Sequence, residues 1–176
     1  MFSQQIKVAI TGAESTGKST LSDALANHYR SISVPEFSRS YIENLKRPYT
    51  YNDVEFIARK QIEIEKNLLP DKSPIFFDTW LIITKVWFDF VYNKRPKWLD
   101  SYIENSNIDL FLVCDIDLPW IYDPVRENGG ENRKVLHDIY IENLKKYGFK
   151  YQIVSGEGED RIKNAICFVD QLIHHV

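Results

Sequence analysis

The sequence predicts an α/β fold, a five-stranded parallel sheet with helices on both faces. Three observations predict it. Short apolar runs bounded by turn residues alternate with longer segments of helical period, the pattern of βα units. The first of these runs, KVAIT, passes through a glycine-bearing loop straight into a helical segment. The chain has 176 residues, 44% hydrophobic and 27% charged, which suits one core of ordinary globular composition and leaves no room for a second full domain.

In chain order, the first strand is expected over residues 6–11 and the first helix over 18–30, where Leu21, Ala24 and Leu25 can face a sheet. A short strand over 33–36 leads into a helix over 37–46. Residues 53–69 read as a long helix, because Val54, Ile57, Ile62, Leu68 and Leu69 recur at roughly helical spacing. The run PIFFD predicts a strand over 74–78. Residues 79–92 are so dense in apolar and aromatic side chains that a largely buried helix is expected. A shorter helix over 96–104 would carry proline in its first turn. The strand expected over 109–115 is followed by PWIYDPVRENGG, too rich in proline and glycine for a regular element, and residues 118–133 read as a lid. A helix over 131–146 stops at Gly148, a strand follows over 151–154, and a helix over 160–173 comes last. No repeat, low-complexity tract or linker divides the chain, so residues 1–176 are expected to form a single domain.

Bulk properties exclude several function classes. The formal charge of −3 lacks the basic field that drives non-specific nucleic-acid binding. No run approaches the length of a membrane span, and MFSQQIKVAI lacks the three-part build of a signal peptide, so a cytoplasmic protein is expected. Cys114 and Cys167 have no CxxC spacing and read as buried free thiols of a reducing compartment. His28 and His137 fall on separate helices and His174 and His175 at the C-terminal end, which does not predict a metal centre. Self-association into a homo-oligomer stays open.

The most informative segment runs Gly12, Ala13, Glu14, Ser15, Thr16, Gly17, Lys18, Ser19, Thr20 and fits G-x-x-x-x-G-K-[ST] at every fixed position. Such a loop must wrap closely round phosphate oxygens with successive backbone N–H groups turned inward. Gly12 and Gly17 permit the backbone angles and remove side-chain obstruction. Lys18 can reach the β and γ phosphates, and Ser19 can ligate magnesium, with the helix N-terminus adding partial positive charge. ATP with magnesium is the expected ligand.

Phosphoryl chemistry at this loop needs further groups. An acid at the end of a neighbouring strand must hold magnesium, directly or through water; PIFFDT supplies Asp78 and FLVCD supplies Asp115. Glu36 in SVPEFSR would stand at the end of the second strand, where it can orient an acceptor hydroxyl, and Arg39 can pair with it or contact substrate. Arg126 and Arg133 flank Gly129 and Gly130, an arrangement suited to a lid that places guanidinium groups on the transferring phosphate. The stripe Trp80, Trp87, Phe88, Phe90 and Tyr92 reads as core rather than as a stacking platform.

With these residues in place the chain resembles the NadR-type ribosylnicotinamide kinases, which sit among the P-loop nucleoside and nucleotide kinases, an AAA-type ATPase/kinase module. The resemblance covers nearly the whole chain. It rests on VAITGAESTGKSTL, the Glu-aromatic-x-Arg of PEFSR, the FFDT strand end, the PW and D..R of PWIYDPVR, and Arg133. It implies a 2-3-1-4-5 strand order, Asp78 rather than Asp115 as the magnesium acid, and ATP-dependent phosphorylation of the 5′-hydroxyl of nicotinamide riboside. No HxGH signature is present, so the kinase-like module alone is expected. Two positions depart from the family. Members tend to carry a Trp before the strand-two Glu, where this chain has Pro35, and many have Asp-Thr-Asp where it has Asp78, Thr79 and Trp80. Trp80 could restore a stacking face, or the acceptor could be another nucleoside or small alcohol. Two further readings stand beside the kinase: a nucleotide-dependent regulatory ATPase, and an ATP-binding module without catalysis.

Overall fold

The computed structural model describes residues 5–68, 73–122 and 131–174. Five parallel strands, β1 (Lys7–Thr11), β2 (Ile32–Val34), β3 (Ile75–Asp78), β4 (Leu110–Cys114) and β5 (Tyr151–Val154), stand in the order β2-β3-β1-β4-β5. β1 is central, paired with β3 through Lys7↔Ile75 to Ile10↔Asp78 and with β4 through Val8↔Leu110 to Thr11↔Val113. Every connection between strands is a crossover, so all carboxyl ends open on the same edge, where α/β sheets bind their ligands.

Strand alternation divides the core in two. Val8, Ile10, Phe76, Leu110, Leu112 and Cys114 point to one face and pack against α1 (Lys18–His28) and α7 (Gly158–His174). Ala9, Ile75, Phe77, Phe111 and Val113 point to the other, under α3 (Tyr51–Lys66), α4 (Leu81–Trp87), α5 (Lys97–Glu104) and α6 (Glu131–Lys146). Burial on both faces explains why β4 reads as the unbroken run LFLVC, with every residue buried. Each fully buried ring, such as Phe76 or Phe111, contributes on the order of 1.5–3 kcal/mol.

Several expected bounds shift for local reasons. β2 ends at Val34, and Glu36 is the N-cap of α2 (Phe37–Asn44) rather than the last residue of a strand, because Pro35 cannot continue the ladder. α3 starts at Tyr51, earlier than expected, through a capping box in which Asp53 accepts from the Thr50 backbone N–H at 2.7 Å. The expected helix over 79–92 is α4 followed by a π-helical turn over Phe88–Tyr92, closed by Asn93 in the left-handed region. Pro96 is the N-cap of α5, one place outside the helix. Cys114 is buried as expected, but Cys167 is exposed on α7. Among the described residues no helix is long and apolar enough to cross a membrane.

Candidate phosphate and acceptor site

The loop after β1 has the shape its composition predicts. Gly12 has φ +143°, and a Cβ there would come within 2.9 Å of the Cys114 carbonyl oxygen, so glycine is required by space and by backbone angle together. Gly17 has φ +76°, and Ser15, at φ 56°, also takes a positive angle at the top of the loop. The loop is cross-braced from within: the Thr16 hydroxyl donates to the Ala13 carbonyl at 2.8 Å, and Lys18 Nζ reaches back to the same oxygen at 2.8 Å. α1 follows at once, with its N-terminal N–H groups directed at the hollow.

Asp78 ends β3 beside this loop, at 5% exposure. Burial lifts its carboxyl above the usual carboxylate range; the nearby Ser19 hydroxyl opposes that shift, the Glu36 charge reinforces it and Lys18 opposes it. One carboxylate oxygen, Oδ1, is buried without a hydrogen-bond partner among the described residues. An orphaned carboxylate oxygen next to a serine hydroxyl is a hard-oxygen pair of the kind magnesium takes, together with water and phosphate oxygens. Asp115 is differently engaged: its Oδ2 accepts from Ser155 at 2.8 Å and its Oδ1 from the Ile116 N–H at 2.7 Å. Thr79, the next residue, has φ +76°, a strained conformation for a β-branched side chain, and its buried hydroxyl also lacks a partner among the described residues.

A cavity of about 700 Å³ opens from the loop and continues past Glu36, Ser38 and Thr79 to α4. Glu36 Oε1 accepts from the Ser38 hydroxyl at 2.6 Å, and both residues line the cavity. Among the described residues Arg39 pairs with Glu43 at 2.9 Å, one helical turn on, rather than with Glu36. Tyr140 of α6 lines the same cavity, and burial, followed by the Glu14 and Glu36 charges, raises its phenol well above the usual range, so it stays a neutral donor.

Most of the expected lid, residues 123–130, lies outside the described residues. Arg133 lies on the first turn of α6, 8% exposed, and Nη2 donates to the carbonyls of Leu118 at 2.9 Å and Ser15 at 3.3 Å. It therefore grips the shoulder of the phosphate loop. Arg126, Gly129 and Gly130 lie outside the described residues.

The sequence missed three groups. Arg161, at the start of α7 and 4% exposed, donates to the carbonyls of Thr16 and Asp115 at 3.0 Å each and of Gly156 at 2.7 Å, and pairs with Asp117 at 2.7 Å. Nothing local marks it, since a lone arginine in GEDRIK looks like surface charge. Tyr140 was hidden in an ordinary amphipathic pattern. The third is the aromatic stripe, which divides. Trp80 is buried, its indole N–H donating to Glu65 at 3.0 Å and its ring against Phe111 and Phe149, so it offers the cavity no stacking face. Trp87 and Phe90 do line the cavity.

A glycine loop of this geometry between the central strand and its helix, in a 2-3-1-4-5 parallel sheet, defines a P-loop nucleotide-binding protein. A family profile described as an AAA domain matches residues 7–161, and the chain belongs to that family. It is similar to the trifunctional NAD biosynthesis/regulator protein NadR of Salmonella typhimurium, 27% identical over 150 residues that cover 82% of this chain and 37% of the relative. Among solved structures it is similar to NadR protein in complex with NR, with TM-score 0.82, 25% identity, and coverage of 97% of this chain and 52% of that one. It also has the fold of thymidylate kinase from Ehrlichia chaffeensis, with TM-score 0.70, 14% identity, and coverage of 96% and 99%. The chain thus spans about half or less of the length of the NadR proteins it matches.

Proposed function

We propose that this chain is an ATP-dependent, magnesium-dependent kinase that transfers the γ-phosphate to a nucleoside hydroxyl, with nicotinamide riboside the leading acceptor and nicotinamide mononucleotide the product. The observation that carries this is the single cavity running from the P-loop past Glu36 to α4, with room for both an acceptor and the phosphates. Likeness to NadR bound to NR supports the choice of acceptor. Residues 1–176 are read as one kinase-like domain with a lid near 118–133, acting in the cytoplasm.

In this reading Gly12, Ala13, Glu14, Ser15, Thr16, Gly17, Ser19 and Thr20 cradle the phosphates, and Lys18 swings from the Ala13 carbonyl to the β and γ oxygens. Ser19 and Asp78 would hold magnesium, which would supply positive charge against the β and γ phosphates. Glu36 accepts the acceptor hydroxyl proton as the new O–P bond forms and the bond to the β-phosphate oxygen breaks, releasing ADP. Arg133 acts through the loop that it holds, and Arg126 belongs to the lid.

ADP release measured with a panel of nucleosides, nicotinamide riboside included, tests this reading. Release that depends on acceptor is expected. Bound ATP with no phosphorylated product from any nucleoside would remove the proposal, and slow hydrolysis indifferent to acceptor would favour a regulatory ATPase.

A further inference from the structure

One wall of the cavity is a helix with little packing of its own. α2 carries Glu36 at its N-cap, Ser38, Arg39 and Ile42 line the cavity along it, and Tyr49 follows in the link to α3. Of the eight residues of α2 only Ser38 is buried. A helix that short does not hold itself together in water, so its place has to come from bonds to a neighbour. Aromatic contacts supply one part. Phe37 and Tyr41 stand 6.2 and 5.3 Å, centroid to centroid, from Phe56 of α3, which is itself 48% exposed, and a half-exposed cluster contributes less than a buried one.

The other part is a single carboxylate. Asp53, in the first turn of α3 and 4% exposed, accepts at Oδ1 from the Tyr41 hydroxyl at 2.7 Å and from Arg47 Nη2 at 2.8 Å. Its Oδ2 accepts from Arg47 Nη1 at 2.8 Å and from the Thr50 N–H and hydroxyl at 2.7 and 2.6 Å. These bonds hold its carboxyl well below the usual carboxylate range, Arg47 contributing most and Thr50 next.

The three partners belong to different pieces of the wall: Tyr41 to α2, Arg47 to the link and Thr50 to the cap of α3. The Thr50 bonds start α3, since they complete its capping box. The Tyr41 and Arg47 bonds add nothing to that cap. They tie α2 and the link to α3, which is itself fixed by Val54, Ile57 and Ala58 in the core. Among the described residues the hydrogen bonds of Asp53, Tyr41 and Arg47 stay between positions 41 and 53, and none reaches the phosphate loop.

We propose that Asp53 is a positioning residue for phosphoryl transfer: through Tyr41 and Arg47 it holds α2 on α3, so that Glu36 stands in the path of the acceptor hydroxyl. This rests on the kinase reading above. Asp53 touches no reacting atom; it acts on the acceptor's half of the site and leaves the nucleotide's half alone.

Hydrogen exchange of the α2 amides and steady-state kinetics with ATP, magnesium and nicotinamide riboside, both on the full chain, test it. Tyr41→Phe is the sharpest variant, because it unties α2 and spares the capping box. Its α2 amides should exchange about tenfold faster than in the wild type while those of α3 keep their rate, as loss of a hydrogen bond to a charged group implies. kcat/KM for the acceptor should fall about tenfold, and the ATP KM should change less than about twofold. Asp53→Ala should cost about thirtyfold or more, because both ties go together. Asp53→Glu, whose carboxylate can still complete a capping box and take the Tyr41 hydroxyl, should recover most of that loss. If Asp53→Ala does not fold, Tyr41→Phe combined with Arg47→Met removes the same ties and spares the cap. Wild-type exchange of α2 in Tyr41→Phe, or faster exchange with an unchanged acceptor kcat/KM, overturns this inference and leaves the kinase reading standing. So does an ATP KM that worsens as much as the acceptor's, which would make Asp53 a residue of the fold alone. A wild-type protein that binds ATP and phosphorylates no nucleoside removes both.

Discussion

The two ends of the cavity are made by opposite means. At the phosphate end one continuous stretch, residues 12–20, supplies the backbone donors, the lysine and the serine, and its geometry follows from local rules: positive φ at Gly12 and Gly17, a strand before and a helix after. At the acceptor end the groups come from three separate stretches, the start of α2 with the segment before α3, the face of α4, and the middle of α6. A local site can be recognised from its motif. An assembled one has to be seen.

That contrast orders the expected effects of substitution. Lys18→Ala removes the one cation built into the loop, so kcat should fall about 10²–10³-fold, as for loss of a preorganised group that stabilises transition-state charge. Single-turnover kinetics at saturating ATP check it, and unchanged turnover would break the assignment of the phosphate end. Glu36→Gln should cost less, about tenfold to a hundredfold in kcat with the ATP KM nearly unchanged, because phosphoryl transfer depends more on positioning than on proton removal. Equal loss in both constants would place Glu36 in the fold rather than in the acceptor's path.

The smallest effect concerns Asp78 and has opposite signs in function and stability. Its folded pKa lies above the free value, so it favours the fold below the free carboxylate range, and that contribution is lost as pH rises through the folded pKa. Above the free carboxylate range the buried, partly orphaned carboxyl costs stability in the ligand-free protein. Asp78→Asn should therefore raise the melting temperature at pH 7 by about 2–4 °C for each kcal/mol relieved, with no gain below about pH 4, where the acid itself is protonated. Magnesium-dependent turnover should fall in the same variant. Thermal melts at the two pH values, with and without magnesium and nucleotide, measure both sides.

How far the sequence could be read follows the same division. The parallel strands, the P-loop and the place of Asp78 at the end of β3 were legible, since each depends on periodicity or on a motif with fixed spacing, while the sheet order followed only from the family resemblance. The position of Glu36 was legible to within its element: it caps α2 instead of ending β2, because Pro35 interrupts the strand's donors. The aromatic stripe was legible as apolar but not as two-sided. Whether Trp80 or Trp87 faces the cavity depends on the π turn and on Glu65, which lies well before both in the chain and takes the Trp80 indole. Arg161 was not legible at all, because its partners are backbone carbonyls, which carry no sequence signal, and Asp117, which lies 44 residues away in the chain.

Arg161 bears on how the site comes into being. Its bond to the Thr16 carbonyl joins residues 145 positions apart, nearly the full length of the chain. The motif that is easiest to recognise is thus among the last parts to be finished: its residues are in hand early, yet the loop keeps an unanswered carbonyl until the final helix docks. Closing so wide a circuit is entropically slow. Nucleotide affinity should accordingly appear late in refolding, in step with the docking of α7 and behind the pairing of β1 with β3.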